Sequence, residues 1–196
     1  MTVAAATHLD RASEAYVADV FAAIGEDVPV QEGFLVGSGA AGGFDPRTSD
    51  IDLVVVAAEP LGPAREALVR RLLDLPCPVR DLQLVLYVEG AQPPEFELNL
   101  NEGIERPGED AFWFVLDAAA AEDHAIPLLH GRPWDEFFEP VSPEQLRAAL
   151  LESIAWSESR PADSEFARVN AIRARHYLEH GEWISKEEAA KEEAER

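Results

Sequence analysis

The stretch that decides the fold is LVGSGAAGGFDPRTSDIDLVVV, residues Leu35–Val56. An apolar run leads into a Gly-Ser pair, a loop rich in glycine and then in polar residues follows, and a second apolar run begins at Ile51. Two aspartates, Asp50 and Asp52, stand two positions apart at the start of that second run. Because side chains alternate along a strand, both carboxylates are expected on one face, where they repel each other unless a cation neutralises them.

The two carboxylates are suited to Mg²⁺. Hard divalent cations take oxygen ligands, and such ions can bridge phosphate oxygens and assist an in-line displacement. The turn at Gly37 and Ser38 offers close backbone approach and donors for phosphate oxygens. An isolated D-x-D pair usually has no such role, but here strand, Gly-Ser, loop, D-x-D and strand occur in order. The order predicts a metal-dependent nucleotide site.

Composition narrows the class of partner. The 196 residues carry a formal net charge of −22, which repels nucleic acids and anionic membranes and favours a cationic substrate, although the same charge also fits simple solubility. The single cysteine, Cys77, excludes an internal disulfide. We find no secretion signal and no apolar run long enough to span a membrane, so we expect a cytoplasmic location.

Hydrophobic periodicity places strands and helices in the first half of the chain and helices alone in the second. Strands are expected at 34–36, 51–57, within VRDLQLVLYV and, briefly, at 96–100. Helices are expected over 7–24, from Pro63, from about Ala111, from the capping residue Ser142, and from Ser164. The last ten residues have only alanines to bury, which predicts a frayed, solvated end.

The opening motif resembles the signature of the polymerase-beta-like nucleotidyltransferases, and among them the streptomycin/spectinomycin type of aminoglycoside adenylyltransferase. Four later segments resemble that family in the same order, namely FELNLNEG, FWFVLDAAAAEDHAIPLLHG, FEPVSPEQLRAALLESIAW and YLEHGEWISKEEAA. The resemblance implies an α+β fold, in which a nucleotidyltransferase domain over residues 1–140, with a mixed sheet and flanking helices, precedes a small, shortened all-α domain over 141–196. It also implies Mg²⁺-dependent transfer of AMP from ATP to a hydroxyl of a cationic aminoglycoside, an antibiotic-resistance activity.

The resemblance further implies roles for individual residues. Asp50 and Asp52 would ligate Mg²⁺. The nucleotide triphosphate would be held by a set drawn from both domains, namely Gly37, Ser38, Ser49, Arg173 and Lys186. An aromatic and an acidic residue of the second domain would face the antibiotic, and the nearest candidates are Trp156 and Asp163.

The family's third acidic group, a glutamate that acts as general base, has no match here. Its place falls on Gln83, which cannot accept a proton at neutral pH and carries no charge for a metal. Asp81 lies two residues earlier, about 7 Å away by strand rise, and is the fallback acid. We therefore predict a site that binds Mg²⁺ and ATP but transfers slowly or not at all.

Two alternative functions remain open. The fold could serve as a nucleotide-binding or interaction module with little catalysis, or it could modify a protein hydroxyl instead of a small molecule. The family's helical domain is several helices longer, so the shortened bundle would expose apolar surface on the helices that begin at Ser142 and Ser164. The protein would then be a monomer or a homodimer that covers this surface.

Overall fold

The computed structural model describes residues 7–161 and 163–194. These residues form two compact units. The first contains the described residues up to Glu109 together with Ala121–Pro140, and the second contains Asp110–Ala120 together with the described residues from Val141 onward. The sequence placed residues 110–120 in the first domain. They group with the C-terminal helices because Phe112 and Leu116 pack in a core with Leu150 and Ala174.

A six-stranded sheet forms the centre of the first unit, and it is mixed, as the family resemblance implied. Its strands are β1 (Val30–Leu35), β2 (Ile51–Ala57), β3 (Leu82–Val88), β4 (Leu98–Asn101), β5 (Ile104–Glu105) and β6 (Ile126–Pro127), in the order β5-β4-β3-β2-β1-β6. The central pair β2–β3 is parallel, and the other neighbours pair antiparallel. A parallel pair places the starts of both strands at the same edge of the sheet.

One face of this sheet is covered by two helices, α1 (Arg11–Gly25) and α3 (Arg65–Asp74); a short helix, α2 (Gly37–Ala41), follows β1. The covered face is apolar and includes Leu53, Leu84 and Leu86, which pack in one core with α1 and α3 residues. Helix α1 begins later than the predicted 7–24 because the Asp10 side chain caps it by accepting a hydrogen bond from the Ser13 N–H at 2.8 Å.

The opposite face carries aromatic side chains. Phe34 of β1 meets Trp134 and Phe137 edge-on, with ring centroids 5.2 and 5.9 Å apart, and Tyr87 of β3 meets Phe138 at 5.2 Å. Because the side chains alternate, the residues of β2 and β3 that do not enter the helix-covered core point to this face. Asp52 and Gln83 are among them.

The second unit consists of helices α4 (Ala111–Ala121), α5 (Pro143–Glu158), α6 (Glu165–His180) and α7 (Lys186–Ala194). Helix α5 starts with the predicted capping box between Ser142 and Gln145, and α6 ends at Gly181, which has a φ of 76°. Among the described residues, none of the helices has the length and hydropathy needed to cross a membrane.

The frayed end expected for the last ten residues is wrong for 187–194, which belong to α7; residues 195 and 196 lie outside the described residues. Ser185 and Glu188 make a reciprocal capping box, because the Glu188 N–H donates to Ser185 Oγ and the Ser185 N–H donates to the Glu188 carboxylate. Ala189 is fully buried in a cluster with Val169 and Ile172 of α6. An alanine suffices here because its small side chain lets two helices approach closely.

A buried carboxylate ties β1 to the segment after β6. Glu32 has no exposed surface, and its two oxygens accept hydrogen bonds from the backbone N–H groups of Gly33, Leu129, His130 and Arg132 at 2.8–3.0 Å. Hydrogen bonds from several N–H groups compensate a buried charge that would otherwise be costly. Glu32 therefore fixes the edge of the sheet.

Glu32→Gln is expected to lower the free energy of unfolding by about 2–4 kcal/mol, because an amide NH₂ cannot accept bonds from N–H groups and leaves some of them unsatisfied. Urea denaturation measures the change. The matched control is Glu136→Gln, since Glu136 is half-exposed and pairs with Arg132 at the surface; its change should stay within about 0.5 kcal/mol. Equal stability of the two variants would contradict a structural role for the Glu32 carboxylate.

Candidate active site

The start of β2 and the start of β3 bring the predicted site residues together. In the parallel register Asp52 lies opposite Gln83, and Ile51 lies opposite Leu82. Ile51 and Leu82 are buried in the helix-covered core, so their neighbours Asp52 and Gln83 point to the other face. The residue next to the aspartates on the adjoining strand is thus an amide.

Asp50 lies just before β2 and is almost fully buried, with a side chain 5% exposed. Arg80 grips it with two nitrogens: Nε donates to Oδ1 at 2.7 Å, and a terminal nitrogen donates to Oδ2. The Gln83 amide donates to the same Oδ2 at 3.2 Å. The hydrogen bonds that Arg80 makes with Asp50 are the main reason why the pKa of its guanidinium is raised above the ordinary value.

Gly37 leaves room for the Asp52 carboxylate. Its φ is +60°, and a Cβ at this position would lie 2.1 Å from Oδ2 of Asp52. The Asp52 backbone carbonyl in turn accepts a hydrogen bond from the Val36 N–H at 3.0 Å. Gly37 and Ser38 form the first turn of α2, where the sequence predicted a turn only. The glycine is required both by its backbone conformation and by the carboxylate beside it.

The loop between α2 and β2 folds around Asp45. The Asp45 backbone carbonyl accepts a hydrogen bond from the Ser49 N–H at 2.8 Å, and the Asp45 N–H donates to the Ser49 hydroxyl at 3.0 Å. The Asp45 carboxylate pairs with Arg47, whose hydrogen bonds lower the pKa of Asp45 to about 2. Ser49 therefore closes the loop that presents Asp50, and its hydroxyl already accepts one bond there.

Asp81 is turned to different neighbours. Its Oδ2 atom is buried without a hydrogen-bond partner, and its backbone carbonyl accepts a bond from the Ile51 N–H at 3.0 Å. Its charge also acts on Tyr16 of α1, whose pKa is raised, first by burial and then by Cys77 and Asp81. Gln83 is the residue of β3 that lies opposite Asp52, whereas Asp81 precedes β3.

The two residues of the second unit that were predicted to bind the triphosphate, Arg173 and Lys186, lie near the connection from α6 to α7. Arg173 donates from Nε to the Ile184 carbonyl at 2.8 Å, and burial lowers its pKa while the charge of Asp117 opposes that shift. Lys186 is the exposed first residue of α7, two positions after Ile184. Arg173 thus holds the segment that carries Lys186.

Trp156 belongs to an aromatic cluster in the second unit. Trp113 and Phe166 lie 5.3 and 6.1 Å from it between ring centroids, and the Arg160 guanidinium stands 4.1 Å above its ring. A guanidinium over an indole face is a favourable cation–π contact. Asp163 lies in the exposed turn before α6.

Comparison with known proteins supports the architecture. Among solved structures, the crystal structure of spectinomycin adenyltransferase AAD(9) from Enterococcus faecialis with ATP and spectinomycin matches with a TM-score of 0.78 at 18% sequence identity, over 95% of this chain and 83% of that chain. This chain has the same fold as that structure. No family model matches the sequence, and a search of curated proteins finds no match. At this identity the likeness describes the fold.

Sequence reasoning missed Arg80 and Trp113. Arg80 stands immediately before Asp81 and three positions before Gln83, but its contact with Asp50 joins residues 30 positions apart, and no local pattern indicates such a contact. Trp113 lies in the helix that was expected from about Ala111, and no functional role was assigned to it. Half-buried, it contacts both Trp156 and Phe166.

Gly37→Ala is expected to destabilise the protein more than the matched control Gly43→Ala. Both positions have positive φ, so both alanines carry backbone strain of about 1–2 kcal/mol; only at Gly37 does the new Cβ meet a carboxylate, whereas nothing lies within 4 Å at Gly43. Urea denaturation of the two variants compares the losses. Similar losses would show that Gly37 does not constrain Asp52.

Arg47→Ala is expected to raise the pKa of Asp45 from about 2 toward its ordinary 3.8, because the side-chain hydrogen bond from Arg47 is the largest cause of the depression. A depressed folded-state pKa contributes stability above the unfolded value, and that stability is lost as the pH falls from about 4 through 2. Carbon-detected NMR titration of the Asp45 carboxyl measures the pKa. Arg132→Ala, which breaks a different surface pair, should leave it unchanged.

Proposed function

We propose that this protein binds Mg²⁺ and ATP at Asp50 and Asp52 and transfers AMP to a hydroxyl of a cationic aminoglycoside, with turnover limited by Gln83. The observation that carries the proposal is the meeting of Asp50, Asp52 and Gln83 at one edge of a nucleotidyltransferase-like sheet, with Gly37 against Asp52. The similar AAD(9), whose structure holds ATP and spectinomycin, suggests the pair of substrates.

The donor set fits a magnesium ion that arrives with a triphosphate. No group of three or more acidic, histidine or cysteine side chains suited to a metal occurs in the part of the chain that the structure describes. Magnesium, however, is usually bound through one or two carboxylates plus substrate phosphates. Both oxygens of Asp50 face the cationic guanidinium of Arg80, and a carboxylate in contact with positive charge supports the proposal. When bound, the ion would neutralise charge on the phosphates.

The chain's own residues would then act as follows. Asp50 and Asp52 hold the metal, and the backbone around Gly37 and Ser38 approaches the phosphates without a side chain in the way. An acceptor hydroxyl attacks the α-phosphorus, a new O–P bond forms, the bond to pyrophosphate breaks, and the hydroxyl proton passes to water because Gln83 cannot accept it. Ser49 maintains the loop that positions Asp50. The contribution of Arg173 and Lys186 to triphosphate binding stays a prediction of the family resemblance.

Gln83 favours a second candidate function, a nucleotide-binding module with little catalysis. A general base typically contributes about 10²–10⁴-fold to rate, and a glutamine cannot take the acceptor's proton. The Gln83 side chain is neutral, so it adds no anionic ligand for a metal, and its amide NH₂ donates to Asp50. The same site thus supports binding more directly than turnover.

The acceptor class is inferred from charge and from the second unit. The formal charge of −22 attracts polycations, and the Trp156 ring already stacks against a guanidinium. An aminoglycoside with several ammonium or guanidinium groups fits both features. Asp163 is exposed and available as an anionic contact for such a substrate.

The test compares the protein with Gln83→Glu. Calorimetry with Mg²⁺ and ATP measures binding, and a pyrophosphate-release assay with streptomycin or spectinomycin measures turnover. We expect the unaltered protein to bind ATP. We expect Gln83→Glu to turn over at least about 100-fold faster than the unaltered protein, because the carboxylate restores a general base. Labelled ATP in a lysate tests the alternative that the acceptor is a protein hydroxyl, because a labelled protein band would then appear in place of a labelled small molecule.

Two controls sharpen the comparison. Gln31→Glu adds the same charge in β1 and preserves the acceptor for Arg132, so its rate should match that of the unaltered protein. Asp52→Asn in the Gln83→Glu background should abolish turnover. Equal activity of the unaltered protein and Gln83→Glu would contradict the limiting role of Gln83, and absence of ATP binding in both would overturn the proposed function.

A further inference from the structure

Arg80 occupies the carboxylate that a metal would need. Its Nε bonds to Oδ1 of Asp50, its terminal nitrogen bonds to Oδ2, and the Gln83 amide adds a second bond to Oδ2. Both oxygens of Asp50 are therefore engaged by donors. A divalent cation that coordinates this carboxylate would therefore compete with the like-charged guanidinium for the same two oxygens.

The exposures of the two partners show which one can move. The side chain of Asp50 is 5% exposed, whereas that of Arg80 is 59% exposed. A buried carboxylate is unfavourable unless a cation or several hydrogen-bond donors compensate it, and Arg80 gives Asp50 both hydrogen bonds and positive charge. The arginine can rotate into solvent without leaving a cavity, because more than half of its side chain is already there.

We propose that Arg80 is a resident counter-ion that competes with divalent cations for Asp50. The proposal rests on the metal seat of the proposed function and adds a residue that controls its occupancy. With a glutamine opposite Asp52, the local charge of Asp50, Asp52 and Arg80 is only −1, which weakens the attraction for a free divalent cation. Arg80 thus sets the metal affinity of this chain.

A nucleoside triphosphate would ease the exchange. Guanidinium groups pair with phosphate oxygens as readily as with carboxylates, so a triphosphate gives the displaced Arg80 a new anionic partner. Metal alone offers no such partner. We therefore expect the chain to hold a divalent cation weakly by itself and more tightly together with ATP.

The test measures Mn²⁺ binding without nucleotide, by the loss of the electron paramagnetic resonance signal of the free ion. Arg80→Ala is expected to bind Mn²⁺ roughly tenfold more tightly than the unaltered protein, since charge-assisted hydrogen bonds of this kind typically amount to a factor of ten or more. A residue with a purely structural role would weaken binding when removed, so a gain is diagnostic. Arg80→Lys keeps the charge without the planar fork and should give an intermediate gain.

The matched control is Arg65→Ala. Arg65 also forms an ion pair on the first unit, with Glu105, and its removal changes the net charge by the same amount. Its affinity for Mn²⁺ should equal that of the unaltered protein. A gain in Arg65→Ala as large as in Arg80→Ala would overturn the proposal, because it would reflect net charge alone.

Stability gives a second readout if Arg80→Ala folds poorly. Without its counter-ion the buried Asp50 charge destabilises the fold, and Mg²⁺ should restore stability. The urea midpoint of Arg80→Ala, or of Arg80→Lys, should therefore rise with Mg²⁺ more than that of the unaltered protein or of Arg65→Ala. Equal rises would overturn the proposal.

The outcomes separate this inference from the proposed function. A metal affinity that does not increase in Arg80→Ala, including undetectable binding by every variant, overturns the counter-ion role. If Arg80→Ala gains metal affinity but no variant binds ATP, the counter-ion role stands and the proposed function fails. If the unaltered protein binds Mg²⁺ and ATP but Arg80→Ala shows no gain, only the counter-ion role fails.

Discussion

The repulsion between two carboxylates at the start of β2 is the constraint on which the site depends. Asp50 and Asp52 are brought together by the chain itself, one buried just before the strand and one within it. Two like charges in a partly dry site require positive charge nearby. The structure provides it through Arg80, and the proposed chemistry provides it through a magnesium ion.

The parallel register of β2 and β3 decides which residue faces this pair. A shift of one residue would turn every side chain of β3 to the other face and would bury its polar residues against α1 and α3. Leu82, Leu84 and Leu86 prevent such a shift because they fill the helix-covered core. Gln83 is thereby fixed opposite Asp52, and Asp81 is left near Tyr16.

The residues show why part of this arrangement could be predicted from sequence. The strand at 51–57 was predicted with its observed bounds because a β-branched run follows turn residues, and the start of α5 was predicted because Ser142 and Gln145 are a local signal. The grip of Arg80 on Asp50 joins residues 30 positions apart, and no local pattern indicates it. Helix α7 was missed because its burial depends on contact of Ala189 with α6.

The buried Glu32 also constrains the order in which the chain can fold. Its backbone partners at Leu129, His130 and Arg132 lie 97–100 residues later in the sequence, and the segment between them includes α4, which belongs to the second unit. During synthesis the Glu32 carboxylate can reach those donors only after residue 132 has left the ribosome. The edge of the sheet is therefore closed late, after most of the core strands have been made, and the nascent first unit keeps a hydrated carboxylate at that edge until then.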